Sequence, residues 1–247
     1  MSEEKKDISI FKIGPTPTGQ VLYFFGARHT NDPGDTQFAE LKRFWDEFLN
    51  ISKTERVVFT EGTIRVTLPK YEDSIIQHGE TGAMQWLANE SSVTCVCPEP
   101  DSNEQRRVLC TSFDPKLVAY TMIAQNLTSW YRHTNQSSFD EALNKVIERE
   151  AKFADIYGFV CDKIWFLEQH KKLFGEQKLD DKKFLDLITD PRKNDTVINT
   201  IVALRTKKRN EHIFGEINNA WKSGKSIFAV YGKGHLVALE DLLKNIR

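Results

Sequence analysis

S-I-F-A-V-Y-G-K-G-H-L, residues 226–236, reads as a buried strand running straight into a helix. Ile227, Phe228, Ala229, Val230 and Tyr231 form a short apolar, β-prone run of the kind that fits the middle of a sheet. Gly232 and Gly234 interrupt it, and His235 stands where the chain leaves the sheet. The same grammar occurs in V-L-Y-F-F-G-A-R-H-T, residues 21–30, where the run 21–25 ends in Gly26 and His29 follows three residues later. With 13 Gly and 6 His in 247 residues, chance supplies less than one Gly-x-x-His pair; the chain has two, each after a strand-like run. Ligands of open α/β sheets bind beyond the carboxyl ends of the strands. His29 and His235 are therefore expected to face one another across one site, against the plainer reading that each packs at a strand end.

Outward from these two strands, the run 8–13 and the turn sequence G-P-T-P-T-G at 14–19 make 21–25 the second half of an opening β-hairpin. Asp35 or Thr36 caps a helix to about residue 50, with Phe38, Leu41, Phe44, Trp45, Phe48 and Leu49 at helical spacing. A strand at 57–60, a helix at 81–90 and a strand at 93–97 follow, and this βαβ rhythm implies a mostly parallel sheet. Residues 111–190 carry helical patterns only, at 114–133, 138–153, 155–174 and 179–189. In the third of these, Ile156, Phe159, Val160, Ile164 and Leu167 read as a core stripe. A long helical stretch at 195–222, with a break near 206–208, leads back to the strand 227–231 and an amphipathic terminal helix. The expected fold is α/β: a mostly parallel central sheet with an opening β-hairpin, built from 1–110 and 191–247, and a large helical cap insertion at 111–190.

Composition bounds the function. Hydrophobic residues are 40% and charged residues 28% of the chain, and the net charge is −1. That balance gives no basic field for nucleic acid or an anionic membrane. No apolar run reaches the ~20 residues of a spanning helix, and M-S-E-E-K-K-D at the start has no signal-peptide core. Cys95, Cys97, Cys110 and Cys161 do not amount to a disulfide framework. Cys95 and Cys97 share a strand face and could ligate metal, although V-T-C-V-C-P reads better as small buried thiols. A cytoplasmic protein acting on a small molecule or peptide is expected, with no nucleic-acid or membrane partner.

Glu61 ends the strand 57–60 at the level of His29 and His235, which makes it a candidate third ligand or general base. Glu99, between Pro98 and Pro100, repeats the strand-end carboxylate more weakly. Arg209 could project toward the site, but beside Lys207 and Lys208 it reads as part of a wet helix face. Trp130, Tyr131 and Trp165 could line a pocket under the cap, with core packing the better reading for Trp165.

Taken in order, Gly26-Ala27-Arg28-His29, the strand ending in Glu61-Gly62, Arg209-Asn210, and Gly232-Lys233-Gly234-His235 with its Leu-rich tail resemble the TraB/Tiki family. That family includes pheromone-shutdown proteins and Tiki-type metalloproteases, within a wider group of erythromycin-esterase-like and ChaN-like haem-binding proteins. The resemblance implies an α/β core with helical insertions and a metal-dependent hydrolase of peptide or ester bonds. It assigns His29, Glu61 and His235 to a divalent metal (Zn, Mn or Co) and to catalysis, with Arg209. Asn210 and Arg28 would contact substrate. The first motif reads Gly-Ala-Arg-His where many members have a threonine after the glycine, and Arg28 puts a cation beside the proposed metal. A metal-free esterase-like enzyme, with one histidine as base and Glu61 orienting it, is the first alternative. A non-catalytic haem or small-molecule binder is the second.

Overall fold

A computed structural model describes residues 9–132 and 138–246. Residues 8 and 133, the outer limits of the first expected strand and of the first cap helix, lie outside the described residues. The chain divides into two compact units, one made of residues 1–99 and 210–247 and the other of residues 100–209.

The first unit contains β1 (Ser9–Ile13), β2 (Leu22–Ala27), α1 (Thr36–Ile51), β3 (Arg56–Thr60), α2 (Tyr71–Glu90) and β4 (Thr94–Val96). The second unit contains α3 (Ser102–Cys110), α4 (Pro115–Thr128) with a 3-10 turn at Ser129–Arg132, α5 (Phe139–Ala151), α6 (Ala154–Tyr157), α7 (Lys163–Phe174) and α8 (Lys182–Ile188). Helix α9 (Val197–Lys222) carries the chain back, and β5 (Ser226–Gly232) and α10 (Lys233–Lys244) complete the first unit.

The sheet order is β1-β2-β5-β3-β4. β1 pairs antiparallel with β2, and every other pairing is parallel. The mixed α/β class, the parallel sheet and the opening hairpin are as the sequence predicts. β5 lies between β2 and β3, so the strand that closes the chain sits at the centre of the sheet, buried along its whole length.

Alternation places the two layers. Tyr23, Phe25, Val58, Phe228 and Val230 face α1 and α2, whose Phe38, Leu41, Phe44, Trp45, Phe48, Met84 and Leu87 fill that side. Leu22, Phe24, Val57, Phe59, Ile227, Ala229 and Tyr231 face the other way, against Ile213, Ile217 and Trp221 of α9 and Leu236, Leu239 and Leu243 of α10. Neighbouring residues on each strand thus serve opposite cores, the period of two that a pleated strand imposes. Helix α1 starts where expected, because the Asp35 carboxylate accepts the Gln37 N–H at 2.9 Å.

Helix α2 begins ten residues earlier than the sequence suggests, and it is kinked at Gly79 (φ 58°, ψ −141°). A break of this kind strands carbonyl groups of the preceding turn. The Asn31 side-chain amide donates to two of them, Ile75 O at 3.2 Å and Ile76 O at 3.1 Å.

In the helical unit, α3 is a helix the sequence reading misses. It is polar, it is capped by Asp101, and its Arg106 forms a buried bidentate pair with Glu150 at 2.8 and 2.7 Å, with the Tyr157 hydroxyl donating to the same carboxylate. The stripe expected to be core is instead largely outside: Val160 is 65% and Ile164 71% exposed, and Leu167 is exposed as well. The cause is local. Gly158 (φ 77°) ends α6, Asp162 caps a new start, and the second helix resumes in a different phase that buries Phe166 and His170. Trp165 packs against the core of this unit, as expected. Helix α9 runs through 206–208 without the expected break.

Candidate functional site

Because β2, β5, β3 and β4 run parallel, their carboxyl ends lie along one edge of the first unit. That edge carries His29 two residues beyond β2, Glu61 directly after β3, Gly232 at the end of β5 with His235 in the first turn of α10, and Glu99 three residues beyond β4. Residues far apart in sequence become spatial neighbours through the strand order.

Each histidine is fixed through the same ring nitrogen. His29 Nδ1 lies 2.5 Å from Glu80 Oε1, and His235 Nδ1 lies 2.6 Å from Asn210 Oδ1. Both partners are oxygen acceptors, so in each imidazole Nδ1 is the donor. His235 Nε2 is 3.9 Å from Glu61 Oε1. His29 Nε2 lies against Gly232, where a β-carbon would come within 2.8 Å of it and within 3.7 Å of Glu61 Oε2. The Nε2 side of each ring thus faces the Glu61 carboxylate.

Glu61 is held by two backbone groups of β5 and by one hydroxyl of α2. Its Oε2 accepts the Gly232 N–H at 3.2 Å, its own N–H donates to Val230 O at 3.3 Å, and its carbonyl accepts the Thr81 hydroxyl at 3.2 Å. The chain then turns at Gly62 (φ 88°), whose N–H donates to Glu99 Oε1 at 3.1 Å. Gly62 is at a φ that favours glycine, and Glu99 pins the turn that aims Glu61.

Gly232 has another reason to be glycine. Its φ of −53° suits any residue, but a methyl group there would collide with the His29 ring.

Glu80 is the functional candidate that the strand-end reading does not find, because it comes from a helix. The kink at Gly79 turns the buried Glu80 carboxylate onto His29, and Gly79 itself sits so close to Thr30 O that a β-carbon would come within 2.9 Å. The signal in the sequence is G-E-T-G, residues 79–82: two glycines inside an otherwise helical stretch. One donor atom from each of His29, Glu61 and Glu80 lies within 4.8 Å of the others. Within that set the Glu80 carboxylate is already engaged with His29 Nδ1, which makes it the group that orients the ring, and His235 stands outside the set, meeting it through Glu61 at 3.9 Å.

The remaining candidates fall as follows. Asn210 is buried and orients His235. Arg28 turns to the N-terminus of α1, where its guanidinium donates to Asp35 at 2.5 Å and its backbone is clamped by Gln37 at 2.9 and 2.8 Å. Its charge is thus neutralised by a carboxylate. Arg209, half-buried on α9, is the last residue of the helical unit. Cys95 and Cys97 meet the Thr60 hydroxyl at 3.7 and 3.0 Å. Burial pushes the Cys95 thiol up to about 12 and raises Cys97 as well, which keeps both protonated at neutral pH. Tyr131 donates to Asp180 O at 2.6 Å, and Trp130 packs edge-on against Tyr131 and Phe139. Among the described residues no helix is long and apolar enough to cross a membrane. No protein-family model, curated protein or solved structure matches the chain.

Proposed function

We propose that the chain is a metal-dependent hydrolase of peptide or ester bonds, as the TraB/Tiki resemblance implies. One observation carries the reading: two histidines from opposite ends of the chain each commit Nδ1 to an oxygen acceptor and leave Nε2 beside the same glutamate. Metal-binding histidines are commonly oriented this way, with the far N–H on a carboxylate or amide that fixes the tautomer and raises ligand basicity.

His29, Glu61 and His235 are the residues that would hold the ion, with Glu80 and Asn210 setting the rings. A divalent metal there supplies Lewis acidity toward a carbonyl and acidifies a water toward a pKa of about 7. The chain's own groups do the rest. Glu80 draws the His29 proton to Nδ1 and keeps that ring from turning. The Gly232 N–H donates to Glu61 Oε2 and Oε1 faces His235, and a carboxylate so placed would take the proton of an attacking water. Asp35 removes the Arg28 cation that would otherwise compete with a metal for the same field.

Hydrolysis of a quenched fluorescent peptide library and of p-nitrophenyl acetate, before and after chelation, tests the reading. Activity abolished by chelator, restored by Zn, Mn or Co, and reduced about 10²-fold or more in His235→Ala and Glu61→Gln supports it. Activity indifferent to chelator points to the metal-free alternative. A Soret band without hydrolysis points to the haem binder.

A further inference from the structure

We propose that the segment 63–68, T-I-R-V-T-L, is a recognition edge that takes an extended peptide by strand addition and delivers it to the rim at Glu61. For the fate of the bound peptide this rests on the hydrolase reading; for the binding itself it does not.

The segment begins two residues after Glu61, and from Thr63 to Leu68 it runs with no turn or bend. Its residues are β-formers, yet it belongs to no strand pairing of the sheet. One edge is already occupied: the Gln85 side chain donates to Thr63 O at 3.0 Å and accepts the Arg65 N–H at 2.9 Å. A carbonyl of one residue and an N–H two residues on are what a neighbouring strand would engage, and a buried glutamine amide takes that strand's place.

In an extended chain the residues between them turn their backbone groups the opposite way. Ile64 and Val66 thus present N–H and C=O outward, and none of these groups meets a protein partner among the described residues. Their side chains are equally unusual for a surface: Ile64 is 58% and Val66 84% exposed, the latter the most exposed large apolar residue described. An alternating row of donors and acceptors flanked by β-branched side chains is complementary to another extended backbone, and no compact small molecule satisfies it. Val66 is five residues from Glu61, so a peptide paired along this edge lies within about 17 Å of the carboxylate.

The test is fluorescence anisotropy with a fluorescein-labelled peptide of alternating valine and threonine, ended by lysines. Val66→Pro removes an outward N–H and keeps an apolar side chain, whereas Thr67→Pro removes an N–H on the inner edge. The expected result is saturable binding to the unmodified chain, at least tenfold weaker with Val66→Pro and within about twofold for Thr67→Pro. N-methylation of alternate peptide residues along the pairing edge is expected to weaken binding at least tenfold too. Circular dichroism and thermal melts confirm that both proline variants fold. Absence of saturable binding, or equal binding by Val66→Pro, overturns the proposal. Peptide hydrolysis lowered tenfold in Val66→Pro, with p-nitrophenyl acetate turnover unchanged, supports it; equal loss on both substrates overturns it. Peptide binding that depends on Val66 in a chain that hydrolyses nothing refutes the hydrolase reading and leaves the edge standing.

Discussion

Replacing Gly232 by alanine isolates the site from the fold. The backbone at 232 (φ −53°, ψ 143°) accepts an L-residue without strain. Two global effects then oppose one another. Alanine narrows the unfolded ensemble, which stabilises by about 0.4–1 kcal/mol, and it is a poorer N-cap for α10 than glycine, which costs a similar amount. Their sum is about 1 kcal/mol or less, or a few degrees in Tm for a chain of this size. The local effect is larger. The new methyl would lie 2.8 Å from His29 Nε2 and 3.1 Å from Cε1, where an ordinary contact begins near 3.4 Å. The ring must retreat by about 0.6 Å at the atom expected to ligate, and a misplacement on the order of 1 Å costs about 10²-fold in a reaction that depends on orientation. Gly232→Ala is therefore expected to melt within about 3 °C of the parent while metal affinity and kcat/KM each fall 10- to 100-fold. Differential scanning calorimetry, a metal titration and a crystal structure of the variant check this. A variant that binds metal normally, or one in which the methyl is accommodated with His29 unmoved, refutes the reasoning.

Glu80→Gln keeps an acceptor for His29 Nδ1 and is expected to lose about tenfold in metal affinity, whereas Glu80→Ala leaves the ring unheld and loses up to about 100-fold; isothermal titration of both variants gives the ratio, and equal losses would count against orientation as the role of Glu80. Arg106→Ala strands the buried Glu150 carboxylate and is expected to destabilise by about 3–5 kcal/mol, while the double change Arg106→Met with Glu150→Leu is expected to recover most of it; urea unfolding distinguishes the two. Burial raises the Cys95 and Cys161 thiols to about 12 from an unfolded value near 9. A folded pKa above the unfolded one means that the unfolded chain loses its protons first. The stability these two thiols contribute is therefore constant below pH 9 and declines between pH 9 and 12. Unfolding midpoints at pH 7.5 and 10.5 are expected to fall less in the Cys95→Ser, Cys161→Ser double variant than in the parent, and an identical fall would show that these thiols are not the cause.

How much of this was legible beforehand follows from where the information sits. The strands and the histidines beyond them were readable because a buried parallel strand is a short apolar run, and here each run is punctuated by a glycine, Gly26 or Gly232, three residues before the histidine. The helix phase at 155–174 was not, since a single glycine at 158 resets the periodicity and sends Val160 and Ile164 outward. Helix α3 escaped because its anchor is a buried ion pair with a residue 44 positions away, which no local pattern reveals. Glu80 escaped for a similar reason. Its role depends on a kink sustained by Asn31 from another loop, and only the paired glycines at 79 and 82 hinted at it. Asn210 was named through the family resemblance, and its hydrogen bond to His235 gives it a physical role in the site.

Titration with cobalt(II), followed by visible absorption, examines the two-histidine site itself. One equivalent with ligand-field bands that disappear in His29→Ala and in His235→Ala is the predicted result. Bands that survive both substitutions, or a chain that takes up no cobalt while remaining folded, would contradict a metal held by residues from the two ends of the chain.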